Sequence, residues 1–162
     1  MRDPLRDVEP LLRRVYAYAA YRLGDGSDAE DITSETFERA LRYRHSYNPG
    51  KGSPSTWLVG IARRCVDDLL RGRAFETLTD NDMLLDRVGD ADPAQTAAVR
   101  LDLAAAIAVL DGRDRELIAL RYGADLKAKD IASLLGQRTN AIEVALHRAL
   151  ERLRLQMDGA SR

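Results

Sequence analysis

The chain has one cysteine, Cys65, and two histidines, His45 and His147, among its 162 residues. A single thiol cannot close an internal disulfide, and with so few imidazoles it makes a poor zinc set. Cys65 reads as a small buried apolar residue. No apolar run approaches the roughly 18 residues needed to span a bilayer. The opening MRDPLRDVEP lacks the apolar segment of a secretory signal. No Gly-rich phosphate loop and no nucleophile–base pair is visible, so nothing points to an enzyme, a metal or a cofactor. These absences lead us to expect a cytoplasmic protein without membrane insertion.

What the chain does have is charge and helix formers. Charged residues make up 31% and hydrophobic residues 45%, with only 6% aromatic. Alanine, leucine, arginine and glutamate are abundant and β-branched runs are short, which predicts an all-α fold. The net charge of −1 hides a pattern. Residues 1–73 hold 13 Lys/Arg against 11 Asp/Glu, residues 74–97 hold one against six, and residues 98–162 hold 11 against nine. Two mildly basic blocks therefore flank an acidic connector. The connector, AFETLTDNDMLLDRVGDADPAQTA, lacks sustained helical periodicity and reads as a flexible linker between two small helical domains.

In the first block, VEPLLRRVYAYAAYRL places Leu11, Leu12, Val15, Tyr16, Ala19 and Leu23 on one helical face. Gly24 and Gly26 end it. SDAEDITSETFERALRY follows, with Ser27 and Glu30 spaced as a capping box and Ile32, Phe37 and Leu41 facing the core. After the turn-rich RHSYNPGKGSPS, a third helix is expected from near Thr56. Its apolar stripe is Trp57, Leu58, Ile61, Cys65, Leu69 and Leu70. Arg63, Arg64, Asp67, Asp68 and Arg71 take the remaining surface.

The second block contains four shorter helical patterns, and AKDIASLLGQRTNAIEVALHRAL carries a helix-turn-helix signal. Ala132 is small where two helices cross, and Gly136 suits a turn with positive φ. Ile131, Leu135, Ile142 and Leu146 would lock the pair. The last helix is then the recognition helix, exposing Arg138, Thr139, Asn140, Glu143, Val144, His147 and Arg148. Thr139 or Asn140 is the expected N-cap, and Asn140 with Glu143 would form a capping box. Arg152 and Arg154 suit the C-terminal end of the helix dipole.

Taken in order, DAEDITSETFERALRY, STWLVGIARRCVDDLLR and LDGRDRELIALRYGADLKAKDIASLLG with TNAIEVALHRALERLR resemble the bacterial sigma factors of group IV, the extracytoplasmic-function type. The resemblance covers nearly the whole chain. It implies that core RNA polymerase and promoter DNA are the partners, with an anti-sigma protein as a further one. It implies that Asp28, Asp31, Glu35, Thr36 and Phe37 dock on the coiled coil of the polymerase's largest subunit. The loop and third helix would meet the non-template strand of an opened −10 region. Cations on phosphates and splayed bases in pockets are what hold a single strand. Arg63, Arg64 and Arg71 suit that role, and His45, Tyr47, Asn48, Lys51, Ser53 and Ser55 would line a loop taking a flipped base. Trp57 starts the apolar stripe and is expected in the core. The terminal helix-turn-helix would read a −35 element, and the acidic connector would pass near the polymerase's basic cleft.

One departure stands out. Family recognition helices often read like VKSRLHRA, and this chain has IEVALHRA, so Glu143, Val144 and Ala145 replace Lys, Ser and Arg. Fewer phosphate contacts weaken duplex binding, so −35 recognition is expected to be weak or unusual. Two other readings compete: a helix-turn-helix regulator acting without polymerase, and a sigma-like interaction protein with weakened DNA reading.

Overall fold

The computed structural model describes residues 3–79 and 95–160 of the chain, with side chains described for 3–76 and 102–159. Helices α1 (Val8–Leu23), α2 (Ser27–Arg42) and α3 (Pro54–Thr79) pack against one another as a three-helix unit. A 3-10 turn, Arg44–Ser46, lies between α2 and α3. Then come α4 (Gln95–Ala108), α5 (Gly112–Ile118), a π-helical turn (Ala119–Gly123), α6 (Ala128–Leu135) and α7 (Thr139–Ala160). The long α7 is the spine of this second unit, touching α4, α5 and α6. No strand occurs among the described residues.

Local chemistry sets the ends of these elements. Pro54 opens α3, where its fixed φ is suited and its missing N–H costs nothing. Ser53 caps that helix, its Oγ accepting from the Thr56 N–H at 3.2 Å. Asp111 caps α5 the same way, accepting from the Asp114 N–H at 2.8 Å. Gly136 adopts the left-handed conformation (φ 66°) after α6, and the Gln137 N–H closes back on the Ala132 carbonyl at 2.9 Å. The helix-turn-helix expected from Ala132 and Gly136 is thus formed, with Ala132, Ile131, Ile142 and Leu146 all buried.

Several expectations are corrected. The Ser27–Glu30 capping box does not form: Gly26 holds the cap position (φ 144°) without a side-chain bond, and Ser27 lies inside the helix. Leu12 and Leu41 are 44% and 59% exposed rather than in the core. Leu70 is also exposed, while Val59, Ala62 and Val66 are fully buried in its place. Helix α3 begins two residues before Thr56 and persists through Ala74–Thr79, where the connector was expected to start. The rest of the connector expectation, residues 80–94, lies outside the described residues. The recognition helix α7 starts at Thr139, which puts Arg138 at the flanking position and Asn140 inside the first turn.

The sequence suggested two separate modules; the structure packs them on each other. One continuous core runs from Leu5 through Val15, Tyr18, Ile32, Leu58 and Val66 to Leu117, Leu120, Ile131 and Ile142. Helix α1 carries most of this junction, lying against α5 and the π-helical turn, while α3 meets α6. Each large apolar side chain fully buried there contributes roughly 1.5–3 kcal/mol. The π-helical turn, closed by the Ala124 N–H on the Ala119 carbonyl at 2.9 Å, brings Gly123 against α1. A Cβ on Gly123 would stand 3.0 Å from both the Ala17 carbonyl oxygen and Tyr21 Cδ2, so only glycine permits this approach.

Candidate nucleic-acid and polymerase interface

The loop before α3 is stiffened by its own polar groups. Asn48 Oδ1 accepts from the Gly50 N–H at 2.9 Å, and the Tyr47 hydroxyl donates to the Gly52 carbonyl at 3.0 Å. Tyr47 and Trp57 meet ring to ring at 5.4 Å, tilted by 58°. Beside them runs a groove of about 610 Å³, lined by Tyr47, Asn48, Lys51, Trp57, Ile61 and Arg64, among others. That volume is in the range of small-ligand sites. Its far wall is Ser133 and Leu134 of α6. Trp57 was expected in the core; it does pack there while also lining the groove.

The other candidates of this region separate by environment. Ser53 is engaged as a helix cap. Ser55 is buried and accepts from Arg14 Nη1 at 2.9 Å, so it does not line the groove. His45 and Arg71 are exposed but outside it. Arg63 turns the other way: its Nε donates to Glu116 Oε1 at 2.7 Å.

Glu116 is the centre of a cluster that sequence inspection could not assemble. Its Oε1 also accepts from the buried Tyr18 hydroxyl at 3.2 Å. Arg22 Nε lies 3.2 Å from its Oε2, close enough for an ion pair. The angle is poor, however, and Arg22 Nε has no aligned hydrogen-bond partner. Arg22 Nη1 reaches the Gly112 carbonyl at 3.3 Å, and Arg115 Nε donates to the Tyr21 carbonyl at 2.8 Å. Burial first, and the Glu116 charge second, push the Tyr18 hydroxyl well above its ordinary pKa. Burial, aided by the Arg22 charge, lowers that of Arg115. Glu116 thus ties α5 to both α1 and α3.

On α2, Asp31 is exposed and Glu35 is half-exposed beside Arg39. Phe37 is partly buried against the core. Asp28 is mostly buried and pairs with Arg73 at 2.6 Å. Thr36 is fully buried, its hydroxyl donating to the Ile32 carbonyl at 2.7 Å, so it supports this face from inside and is not a surface contact.

On α7 and its approach, Arg138, Thr139, Asn140, Glu143, Val144, His147 and Arg148 are all exposed. His147 Nε2 lies 3.3 Å from Glu151 Oε1. Arg138, Asn140, Val144 and Arg148 line a second cleft of about 500 Å³, together with Arg113 from α5. Arg152 does not serve the helix dipole; it clasps Asp114 with contacts of 2.9 and 2.7 Å, joining α7 to α5.

Comparison with known proteins agrees with this architecture. Residues 8–76 match the family model of Sigma-70 region 2, and residues 100–153 match that of Sigma-70, region 4. The ECF RNA polymerase sigma factor BldN of Streptomyces coelicolor is 34% identical over 151 residues, covering 90% of this chain and 57% of BldN. The chain therefore spans little more than half of that relative's length. The ECF RNA polymerase sigma factor SigD of Mycobacterium tuberculosis is 30% identical over 168 aligned positions, covering 95% of this chain and 75% of SigD. Among solved structures, the sigma factor RpoE of Bartonella quintana, in complex with the anti-sigma factor NepR, superposes with a TM-score of 0.82. That match covers 98% of both chains at 24% identity, which speaks for the fold. The chain belongs to the sigma-70 family, in its extracytoplasmic-function group.

Proposed function

We propose that the protein acts in the cytoplasm as a transcription initiation factor. It binds core RNA polymerase, directs it to particular promoters and helps open the −10 region. It works by binding and not by catalysis. Residues 1–73 serve polymerase and −10 binding, 74–97 serve as the acidic tether, and 98–162 serve −35 binding. The observation that carries this reading is the groove beside α3, where the partly exposed Trp57 ring, braced by the buried Tyr47, stands with Asn48, Lys51 and Arg64, an amide and two cations. Aromatic platforms beside cations are the chemistry of single-strand binding. Asp31, Glu35 and Phe37 supply the acid-and-apolar mix of a protein interface on α2. An anti-sigma protein is a further proposed partner, supported by the RpoE–NepR neighbour.

The test is affinity of the full chain for purified core polymerase, measured by fluorescence anisotropy. Asp31→Arg and Phe37→Ala are each expected to weaken binding at least about tenfold, the loss of one hot-spot contact. Wild-type chain that shows no affinity for core polymerase would refute the proposal.

A further inference from the structure

The loop and α3 offer a base many donors and few acceptors. Trp57, Ile61 and Arg64 lie at i, i+4 and i+7 on one face of α3 and line the groove together. Helical side chains lean toward the N-terminus, so the Arg64 fork reaches back over Ile61 toward the partly exposed Trp57 ring. Arg64 and Lys51 are both exposed, and neither pairs with a carboxylate among the described residues. No Asp or Glu lines the groove. On the loop, Asn48 Oδ1 accepts from the Gly50 N–H at 2.9 Å, which fixes the amide's orientation and leaves its NH2 as the group free to donate. The Lys51 N–H closes the same turn on the Asn48 carbonyl at 3.0 Å. The hydroxyl protons of Tyr47 and Ser46 go to the Gly52 and Tyr43 carbonyls. Hydroxyl oxygens are thus the main side-chain acceptors, set against two cations and an amide as donors.

We propose that this groove selects guanine, with Arg64 reading the base and Lys51 holding a flanking phosphate. The inference rests on the single-strand role proposed above and names the base that the site takes. A planar guanidinium matches two adjacent acceptors. Guanine presents N7 and O6 side by side on an edge that carries no donor. Its own donors, N1–H and the amino group, lie on another edge and can stay in water. Adenine sets an amino donor beside N7, and thymine a methyl group beside O4. Cytosine has adjacent acceptors at N3 and O2 but places its amino donor next to them, where this groove has no carboxylate to receive it. A purine also covers more of the Trp57 ring than a pyrimidine does, and stacking on an aromatic ring is the part of the hold that every base shares. The compact Lys51 ammonium is a point charge, suited to phosphate and indifferent to sequence.

The test uses the full chain assembled with core polymerase and a degenerate pool of DNA single strands about 12 nucleotides long, a length within the span of a single-strand site. Bound strands are recovered and sequenced. Wild type should enrich guanine at one position of a shared motif. Arg64→Ala should lose the preference at that position and keep the rest of the motif. Arg64→Gln should move it to adenine, because a carboxamide pairs with N6 and N7. Lys51→Ala should weaken binding to all strands alike and leave the guanine in place. On a labelled strand carrying the selected motif, 7-deazaguanine at that position lacks the N7 acceptor and should weaken binding, read by anisotropy, about tenfold. Hypoxanthine, which lacks only the amino group, should bind like guanine. Another base at the Arg64-dependent position would overturn the inference, as would a pool bound without base preference. So would a motif that Arg64→Ala leaves unchanged, or 7-deazaguanine that binds like guanine. An assembly that binds the pool no better than core polymerase alone would instead refute the single-strand role itself.

Discussion

Replacing Glu116 by alanine should reveal how much of the packing between the two helical units depends on one buried carboxylate. The Arg22 and Glu116 side chains are 9% and 11% exposed, so this is an ion pair largely out of water. Removing one member of such a pair strands the other, at a cost of about 3–5 kcal/mol. Arg63 contributes less: its side chain is 37% exposed, and a solvent-screened pair is worth about 1 kcal/mol or under. Glu116→Ala should therefore lower stability by about 3 kcal/mol or more, whereas Arg63→Ala should lower it by about 1 kcal/mol. With a urea dependence of about 2 kcal/mol per molar, the Glu116→Ala midpoint falls by about 1.5–2.5 M. Combining Glu116→Leu with Arg22→Met exchanges both charges for apolar volume and should recover most of the loss. Full recovery is not expected, since the Tyr18 hydroxyl also loses its acceptor. The assay is urea unfolding followed by circular dichroism. A Glu116→Ala loss below about 1 kcal/mol, no larger than an exposed pair would give, would refute the reasoning. So would a double variant less stable than Glu116→Ala alone.

Other consequences can be checked singly. Ser53→Ala removes the cap of α3 and should cost about 1 kcal/mol in thermal or urea unfolding. The Cys65 thiol is buried, and burial raises its pKa above the ordinary thiol value, so it should resist a thiol reagent in the native protein and react readily once unfolded. Glu143→Lys should tighten binding to −35 duplex DNA and steepen its dependence on the logarithm of salt by about one unit. Unchanged affinity would mean that residue 143 does not face DNA.

The helix-turn-helix was legible because its signals are local. A small residue at the crossing, a glycine at the turn and apolar residues at helical spacing all sit within one short segment, and Ala132, Gly136, Ile131 and Ile142 occupy the expected places. The helical faces were read less well at their edges. Leu12 and Leu41 satisfy the periodicity yet lie beyond the width of the buried stripe. Tyr18 looks amphipathic but is fully buried, because Glu116 accepts from its hydroxyl. Thr36 looks like a polar surface residue in a run of acids. Its hydroxyl is satisfied by the carbonyl one turn back, which lets it enter the core. The Ser27–Glu30 spacing fits a capping box, but the helix starts one residue earlier, after Gly26. The π-helical turn and the Glu116 cluster had no sequence signature. They depend on α1 and α3 meeting α5 across about 50 to 100 residues of chain, a distance over which no periodicity operates.

The proposed role is tested most directly by transcription. Purified core polymerase, the full chain and genomic DNA of the source organism are combined, and the transcripts are sequenced. The account predicts new start sites that share two spaced upstream elements and that disappear when Arg64 and Trp57 are replaced by alanine. A chain that binds core polymerase but yields no start sites beyond those of core alone would contradict it.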